Sequence, residues 1–519
     1  MRLSYEIKPA FPRKMVALTL VFLAASLPLI FILPIQSQQD PAPMIFPISG
    51  GGQQVQHPRA GSGVTFSIML SDVREVQSML TRDNGIVASG YDGHGWVGKI
   101  DSHGTLEWSK DYRPSLKARS IEQTKDGGYV VAGDTILNGT EDGWVLKLDQ
   151  SGDVQWSRTI GSSSGQGLVS VSQTSDRGYI AAGTVLGFRG PYDWSDGWLV
   201  KFDSSGNVEW QQAYGGSGFS NAYSVQETRD HGFVVAGNTP VNNTMTAWLF
   251  KTDRVGRIVW QKAYAVTNDN HAGMVEQTSD GGYILDADVT STDISPRPVS
   301  TLFLKLDSEG NIQWQKLYSS NGVGDINPGS IEETRDGGFI ASGRSAKFYA
   351  LGPGVNGTFN GISGAWLLKL DKSGNLVWQR TYGNGVNDAF NHAEETPTGG
   401  FFVGGNFFSL GGPVFLKTDN QGNIPGCEIE GLLENITLRS NFNISVTSRT
   451  GMSGVNIGAN ILNELTTAYS TSVQAQVQCS IEAGQSGDAH RKITITIVPS
   501  RTIDNPLVLQ RRQLDNTHS

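Results

Sequence analysis

Residues Trp144–Trp156, WVLKLDQSGDVQW, decide the reading of this chain, because the pattern returns along it and most other residues sit between its copies. Its Lys-x-Asp core recurs at Lys99/Asp101, Lys147/Asp149, Lys201/Asp203, Lys251/Asp253, Lys305/Asp307, Lys369/Asp371 and Lys417/Asp419, seven copies in all. Three residues after each Asp stands a Gly: Gly104, Gly152, Gly206, Gly256, Gly310, Gly374 and Gly422. In six copies a Trp follows four residues later, at Trp108, Trp156, Trp210, Trp260, Trp314 and Trp378.

Upstream of each copy lies a second signature, as in TKDGGYVVAG from Thr124, TSDRGYIAAG from Thr174, TRDHGFVVAG from Thr228 and TRDGGFIASG from Thr334, with weaker versions at Thr81, Thr278 and Thr396. A period of roughly fifty residues belongs to propeller blades and to solenoids. The segments are short, β-branched and aromatic, with Asp/Gly turns and no helical spacing, so the chain is expected to be all-β. Each unit reads as four antiparallel strands. Strand a ends at the Thr-x-Asp-Gly turn, b is the YVVAG run, c the WVLKLD run, and d carries the second Trp. Asp opens such turns through its side chain and Gly supplies the positive φ of a tight hairpin. A unit of this kind cannot bury both faces alone, which implies a seven-bladed β-propeller.

The seventh unit breaks at Pro425-Gly426 without its strand-d Trp. Phe66 in VTFSIML precedes the first Thr-x-Asp turn by 15 residues, close to the 16 to 20 that separate each strand-d Trp from the next such turn. A strand around Val64 to Met69 is therefore expected to complete the seventh blade.

The expected organisation is a basic cytoplasmic segment over 1–14, a transmembrane signal-anchor over 15–35, a flexible linker over 36–62, the propeller over 63–426 and a small C-terminal β-rich module over 427–519. The apolar run Met15 to Leu33 spans roughly 28 Å as a helix, about one hydrocarbon core. Arg2, Lys8, Arg13 and Lys14 keep its first end inside, so the bulk of the chain is expected outside the cell on a single-pass anchor, or secreted if the helix is a cleaved signal peptide. A formal net charge of −9 and the lack of a Lys/Arg cluster in the repeats argue against nucleic acid. The two cysteines, Cys427 and Cys479, are expected to form a disulfide in that location, with free thiols as the alternative. Asn138, Asn242, Asn356, Asn435 and Asn443 stand in glycosylation sequons.

The repeat, QTxDGGYxxAGxT followed by DGWLxKLDxxGNxxWxxxYGG, resembles that of large surface or secreted β-propeller proteins of archaea and bacteria over residues 66–424. The resemblance implies a propeller and little about function. It is distantly similar to quinoprotein dehydrogenase propellers as well, but the Asp-to-Gly spacing is one residue shorter, there are seven units rather than eight, and the adjacent cysteine pair is absent, so no cofactor is expected.

Eleven of the twelve Trp occupy repeat positions, the strand-c set being Trp96, Trp144, Trp198, Trp248 and Trp366, which suits packing between blades. The strand-c Lys are expected to pair with the Asp two residues on, or with strand-a Glu122, Glu276, Glu332 and Glu394, in exposed ion pairs. Asp149 and Asp153 suit turn chemistry better than calcium, and the Gly161–Gly165 string GSSSG lacks a following helix to make a nucleophile elbow. The eight His show no pair at metal-ligand spacing, leaving only a site composed across blades. No metal or catalytic residue is therefore assigned.

The b-to-c and d-to-a connections share one face and vary in length, so function is expected there. Phe188, Tyr192, Trp194, Phe348, Tyr349 and Phe359 are the candidate contacts. The preferred function is a non-catalytic extracellular scaffold that recognises or adheres to protein or glycan. The alternative is an extracellular enzyme working in the channel: a lyase, a glycosidase or a quinoprotein-like oxidoreductase.

Overall fold

Seven antiparallel sheets each run a-b-c-d in strand order. Blade 3 shows the pattern, with strand a at Gln166–Gln173, b at Tyr179–Leu186, c at Ser195–Phe202 and d at Val208–Tyr214. The computed structural model describes residues 65–424, apart from loop stretches of which the longest are 187–193, 291–298 and 348–361, and six further strands between 436 and 481. The expected anchor and tether over 1–62 lie outside the described residues.

Strand c is buried along its whole length in blade 3, because both sides of the sheet are covered by neighbouring blades. Seven apolar clusters result, one in each gap between blades. Val130, Val145 and Ile160 of blade 2, for example, meet Leu168, Tyr179 and Trp198 of blade 3. The strand-c Trp residues 96, 144, 198, 248 and 366 are among the largest fully buried side chains, as expected of packing residues. The gap between blades 7 and 1 is filled in the same way by Ile68, Leu70, Phe402 and Phe415 against Val76, Ile86 and Trp96.

Closure follows the sequence expectation. Strand Thr65–Leu70 pairs antiparallel with strand c of blade 7, Gly412–Thr418, and sets Phe66 opposite Lys417. Trp210 stands opposite Lys201 in the same register in blade 3, so Phe66 takes the place of the missing Trp.

Each turn does two jobs. Asp203 Oδ1 accepts from the Ser205 and Asn207 backbone N–H, both at 2.8 Å, and Gly206 follows with φ of 79°. A Cβ on Gly206 would lie 2.7 Å from the Trp156 ring of the preceding blade, so the glycine serves both the turn and the neighbour. At the same seam the strand-d Tyr hydroxyl donates to the next blade's turn Gly carbonyl, as from Tyr264 to Gly310 at 2.7 Å and from Tyr318 to Gly374 at 2.8 Å.

The expected pairing of the strand-c Lys is corrected. Lys99, Lys147, Lys201, Lys251, Lys305 and Lys369 pair neither with Glu122, Glu276, Glu332 or Glu394 nor with the Asp two residues on. Instead they bond, respectively, Asp83, Asp126, Asp176, Asp230, Asp280 and Asp336 of their own blade's Thr-x-Asp turn at 2.8 to 3.0 Å. The ammonium ends are buried, not exposed, because the a-to-b hairpin folds back over strand c. Burial alone would raise those Asp groups, but bonds from the Thr hydroxyl, the Lys and a backbone N–H outweigh it and hold Asp176, Asp280 and Asp336 down at about 2. In blade 7 Thr398 stands where this Asp would be, and Lys417 donates to the Asn84 carbonyl of blade 1.

Among the described residues the C-terminal strands form no sheet of their own. Ile436–Arg439, Ser445–Ser448, Val455–Asn456, Asn460–Leu462 and Thr467–Ser470 add a fifth strand to blades 5, 4, 3, 2 and 1, and Ala475–Ile481 adds one to blade 7. The segment is a belt on the outer edges of the ring. Composition and alternation show such strands, but their partners are set by non-local pairing that no local pattern records.

Deleting Gly63–Leu70 removes strand d of blade 7 and opens the ring. The deletion is expected to abolish a single cooperative melting transition. An unchanged transition in calorimetry would show that closure does not depend on this strand.

Candidate functional site

Strand a is the inner edge of every blade, and it touches strand a of both neighbours all the way round. An inner edge leaves N–H groups without a sheet partner. Side chains of the adjacent blade supply the acceptors. Ser120 Oγ takes the Val171 N–H at 3.2 Å and Glu122 Oε2 takes the Gln173 N–H at 3.1 Å. Gln226, Glu276 and Glu394 accept in the same way from Gln277, Glu333 and Leu80, at 2.8, 3.0 and 2.5 Å. These acceptors stand two or four residues before the turn Thr, which places them toward the short-turn end of the channel.

There blades 5, 6 and 7 bring Glu276, Glu332, His392 and Glu394 together. His392 Nδ1 is 3.5 Å from Glu332 Oε1, and its Nε2 is 3.2 Å from Glu394 Oε1. Burial disfavours charge on the imidazole, but the facing Glu332, Glu394 and Glu276 more than offset it and push His392 up to about 9. Burial above all pushes Glu332 up to about 8 and Glu276 to about 7. Glu332, His392 and Glu394 each present one ligand atom, all within 4.8 Å of one another, so they are the residues that could hold a divalent cation. Two of the carboxylates are also the inter-blade acceptors, a duty the amide of Gln226 performs equally, so the cluster fits a bridge across the inner edge. His392 was missed from sequence because Glu332 and Glu276 reach it from other blades, while Glu394 two residues on gives no ligand signal by itself. Aligning the residue two before each turn Thr gives Met79, Glu122, Ser172, Gln226, Glu276, Glu332 and Glu394, a column whose run of Glu marks the spot.

The other end of the channel is built by a defect. Every strand a carries a register shift against strand b, at Val169 in blade 3 and at Arg119, Tyr223, Gly329 and Asn391 in blades 2, 4, 6 and 7. A bulge re-aims one side chain and increases local twist. Here the bulged residue stands five before the turn Thr, on the side of the long connections. A cavity of about 450 Å³ lies among Asn327, Arg344, Phe390, Asn391, Asn406 and Phe408. A second, of about 350 Å³, is lined by Glu75, Gln77, Tyr91, Lys117, Arg119 and Val169 and shares Asn391 and Asn406 with the first. Three bulge residues, Arg119, Val169 and Asn391, therefore line one continuous mouth.

Its charges are held in place. Arg119 forms a two-pronged ion pair with Asp134, and the Lys117 ammonium sits 5.9 Å from the centre of the Tyr91 ring. Asn391 Nδ2 donates to the Val76 carbonyl at 3.0 Å, and Asn406 Oδ1 accepts the Val76 N–H at 3.3 Å. Around this polar floor stand exposed apolar side chains on the long-connection side: Ile136, Leu186 and Phe408 at the ends of strands b, Phe219 in a d-to-a connection, and Tyr223 at its bulge.

Of the sequence candidates, Trp194 lies half-buried just before strand c of blade 3, while Phe188, Tyr192, Phe348, Tyr349 and Phe359 lie outside the described residues. Phe219, Tyr223 and Phe408 were missed, since only the bulges and strand ends show which way they face. Asn242 is exposed in a two-residue turn with Asn243, at φ of 50° and 65°. The other four sequons, at Asn138, Asn356, Asn435 and Asn443, lie outside the described residues. Asp149 caps its turn through the Ser151 and Asp153 N–H and Asp153 pairs with Lys110 at 2.7 Å, as turn chemistry requires. After Gly165 comes strand Gln166–Gln173, not a helix.

No family model matches the chain, and no curated protein matches it. Solved structures similar to it include a protein of unknown function from Bacteroides caccae, at 11% identity and a TM-score of 0.34 over 61% of this chain and 94% of that one. Another is Sqt1 of Chaetomium thermophilum, bound to the N-terminus of the ribosomal protein L10, at 11% identity and a TM-score of 0.40 over 68% and 100%. A third is a member of the DUF4221 family from Bacteroides vulgatus, at 8% identity and a TM-score of 0.32 over 72% and 99%. Likenesses this distant say nothing of what this chain does.

The buried acids set a pH dependence. Burial holds Glu122, Asp111 and Asp286 at about 7, and with Glu276, Glu332 and His392 all six lie above their unfolded values. The folded chain thus binds more protons. The carboxyl contribution is full below the unfolded range near pH 4 and is lost through about 7 to 8, and that of His392 is full below about 6.5 and lost through about 9. The turn Asp groups act oppositely and lose their contribution as pH falls toward about 2. The melting temperature is expected to peak at about pH 5 and to fall toward pH 9, by on the order of a few kcal/mol in stability. Glu332→Gln should flatten the upper limb, and an unaltered limb would remove the cluster as its cause.

Proposed function

We propose that this chain is a non-catalytic, membrane-tethered extracellular propeller that binds an extended segment of another protein across its long-connection mouth. The observation that carries the reading is the bulge ring: a repeated scaffold presents side chains as unlike as Arg119, Val169, Tyr223 and Asn391 at one position, beside exposed Phe219, Tyr223 and Phe408. Aromatic anchors over a preorganised polar floor suit recognition of a polypeptide. The outer location rests on the apolar run Met15 to Leu33 with its basic flank and on the sequons. Catalysis in the channel is the alternative, and the Glu332, His392 and Glu394 group is the observation in its favour.

The test is selection of displayed random peptides, with a glycan array in parallel, on the wild-type chain and on Tyr223→Ala/Phe408→Ala. Peptide enrichment should fall at least about tenfold in the variant with folding intact. Equal enrichment by both, or selection of glycans alone, would refute the polypeptide reading.

With the outer location goes a disulfide between Cys427 and Cys479. Cys479 sits on the belt strand of blade 7, opposite Ser67, and Cys427 comes three residues after Ile424 at the end of the ring. Such a bond would fasten the start of the belt to its end. Mass spectrometry of the unreduced, digested protein should find the two cysteines in one linked peptide pair, and two alkylated thiols would discard the bond.

A further inference from the structure

The belt visits the blades in strict order, 5, 4, 3, 2, 1 and 7. The next blade in that direction is blade 6. Its strand d, Leu376–Tyr382, is the one strand d with no fifth strand beside it among the described residues. Gln379 and Thr381 of that strand are half-buried, as are the matching Gln315 and Leu317 of blade 5, so the open edge is a matter of backbone pairing rather than of side-chain exposure. An open edge of this sort is a template for another strand.

The chain carries a segment suited to it. Beyond Ile481 it continues for 38 residues, and these include Ile493–Val498, ITITIV, β-branched at every position and followed by Pro499. Eleven residues, with Gly484 and Gly487 among them, separate the two and can span up to about 36 Å. Crossings between adjacent blades elsewhere in the belt use only three to six residues.

Register adds a second match. At the strand-d position occupied by Tyr112, Ile160, Tyr264 and Tyr318, the belt partner is Ala468, Ile461, Val446 and Leu438, apolar each time. Tyr382 holds this position in blade 6. An Ile of ITITIV opposite Tyr382 repeats the pairing and leaves a Thr opposite Thr381.

We propose that Ile493–Val498 completes the belt as the fifth strand of blade 6, antiparallel to Leu376–Tyr382. The ring is then hooped on all seven blades and leaves no outer edge for a second molecule.

Hydrogen exchange of the full chain tests this, with Ile495→Pro/Thr496→Pro as the comparison, because proline removes ladder N–H groups whichever of the two positions points at blade 6. In the wild type, amides of Leu376–Tyr382 should be as protected as those of Ile258–Ala265 in blade 4. In the variant the blade 6 amides should exchange at least about tenfold faster, with blade 4 unchanged as the control for folding. No difference between the two proteins at blade 6 overturns the proposal. Protection that disappears on dilution to the monomer overturns it too, since a second copy then supplies the strand.

Discussion

A Trp ring of one blade lying over the turn glycine of the next is the contact on which the assembly depends. Two independent demands meet at that glycine. The Asp-x-x-Gly turn needs a positive φ, and the Trp needs the volume that a Cβ would occupy: at Gly152, Gly206 and Gly374 an added Cβ falls 2.7 Å from the ring. Apolar clusters in every gap supply the bulk of the attraction, but they are non-directional. The seat under the Trp, with the Tyr hydroxyl on the same glycine's carbonyl in five of the seams, sets the angle at which one sheet meets the next.

These contacts explain what could be read without coordinates. Asp, Gly and Trp at fixed spacing follow from turn geometry and from the seat, so the period, the four-stranded unit and the closing strand at Phe66 were legible. Depth was not. The strand-c Lys read as exposed because Lys usually is, yet in six blades hairpin folding brings the turn Asp over the Lys and buries the ammonium. The bulges were equally hidden, since a one-residue insertion into strand a leaves no mark in composition. The belt strands alternate as strands should, but which sheet each joins is decided far away in sequence.

The ring keeps its structural and variable positions apart. Side chains such as Ser120, Glu122 and Gln226, two or four residues before the turn Thr, cap the inner edge of the neighbouring blade as hydrogen-bond acceptors. The bulged residue has no such shared duty, and Arg119, Val169, Tyr223, Gly329 and Asn391 differ in charge, size and polarity. The two ends of the channel diverge as a result. One holds a proton-rich group of carboxylates around His392, and the other a cleft of amides and cations rimmed by aromatics.

The strand that closes the ring is also the one through which the N-terminal tail enters. Thr65–Leu70 has strand c of blade 7 on one side and the belt strand Ala475–Ile481 on the other. It is an interior strand, although it belongs to the beginning of the chain. Tension on the tail along the strand therefore loads both ladders in shear, so their hydrogen bonds share the force together, whereas an edge strand pulled away sideways would unzip one bond at a time. The first strand of the chain is thus held as firmly as one in the middle of a blade.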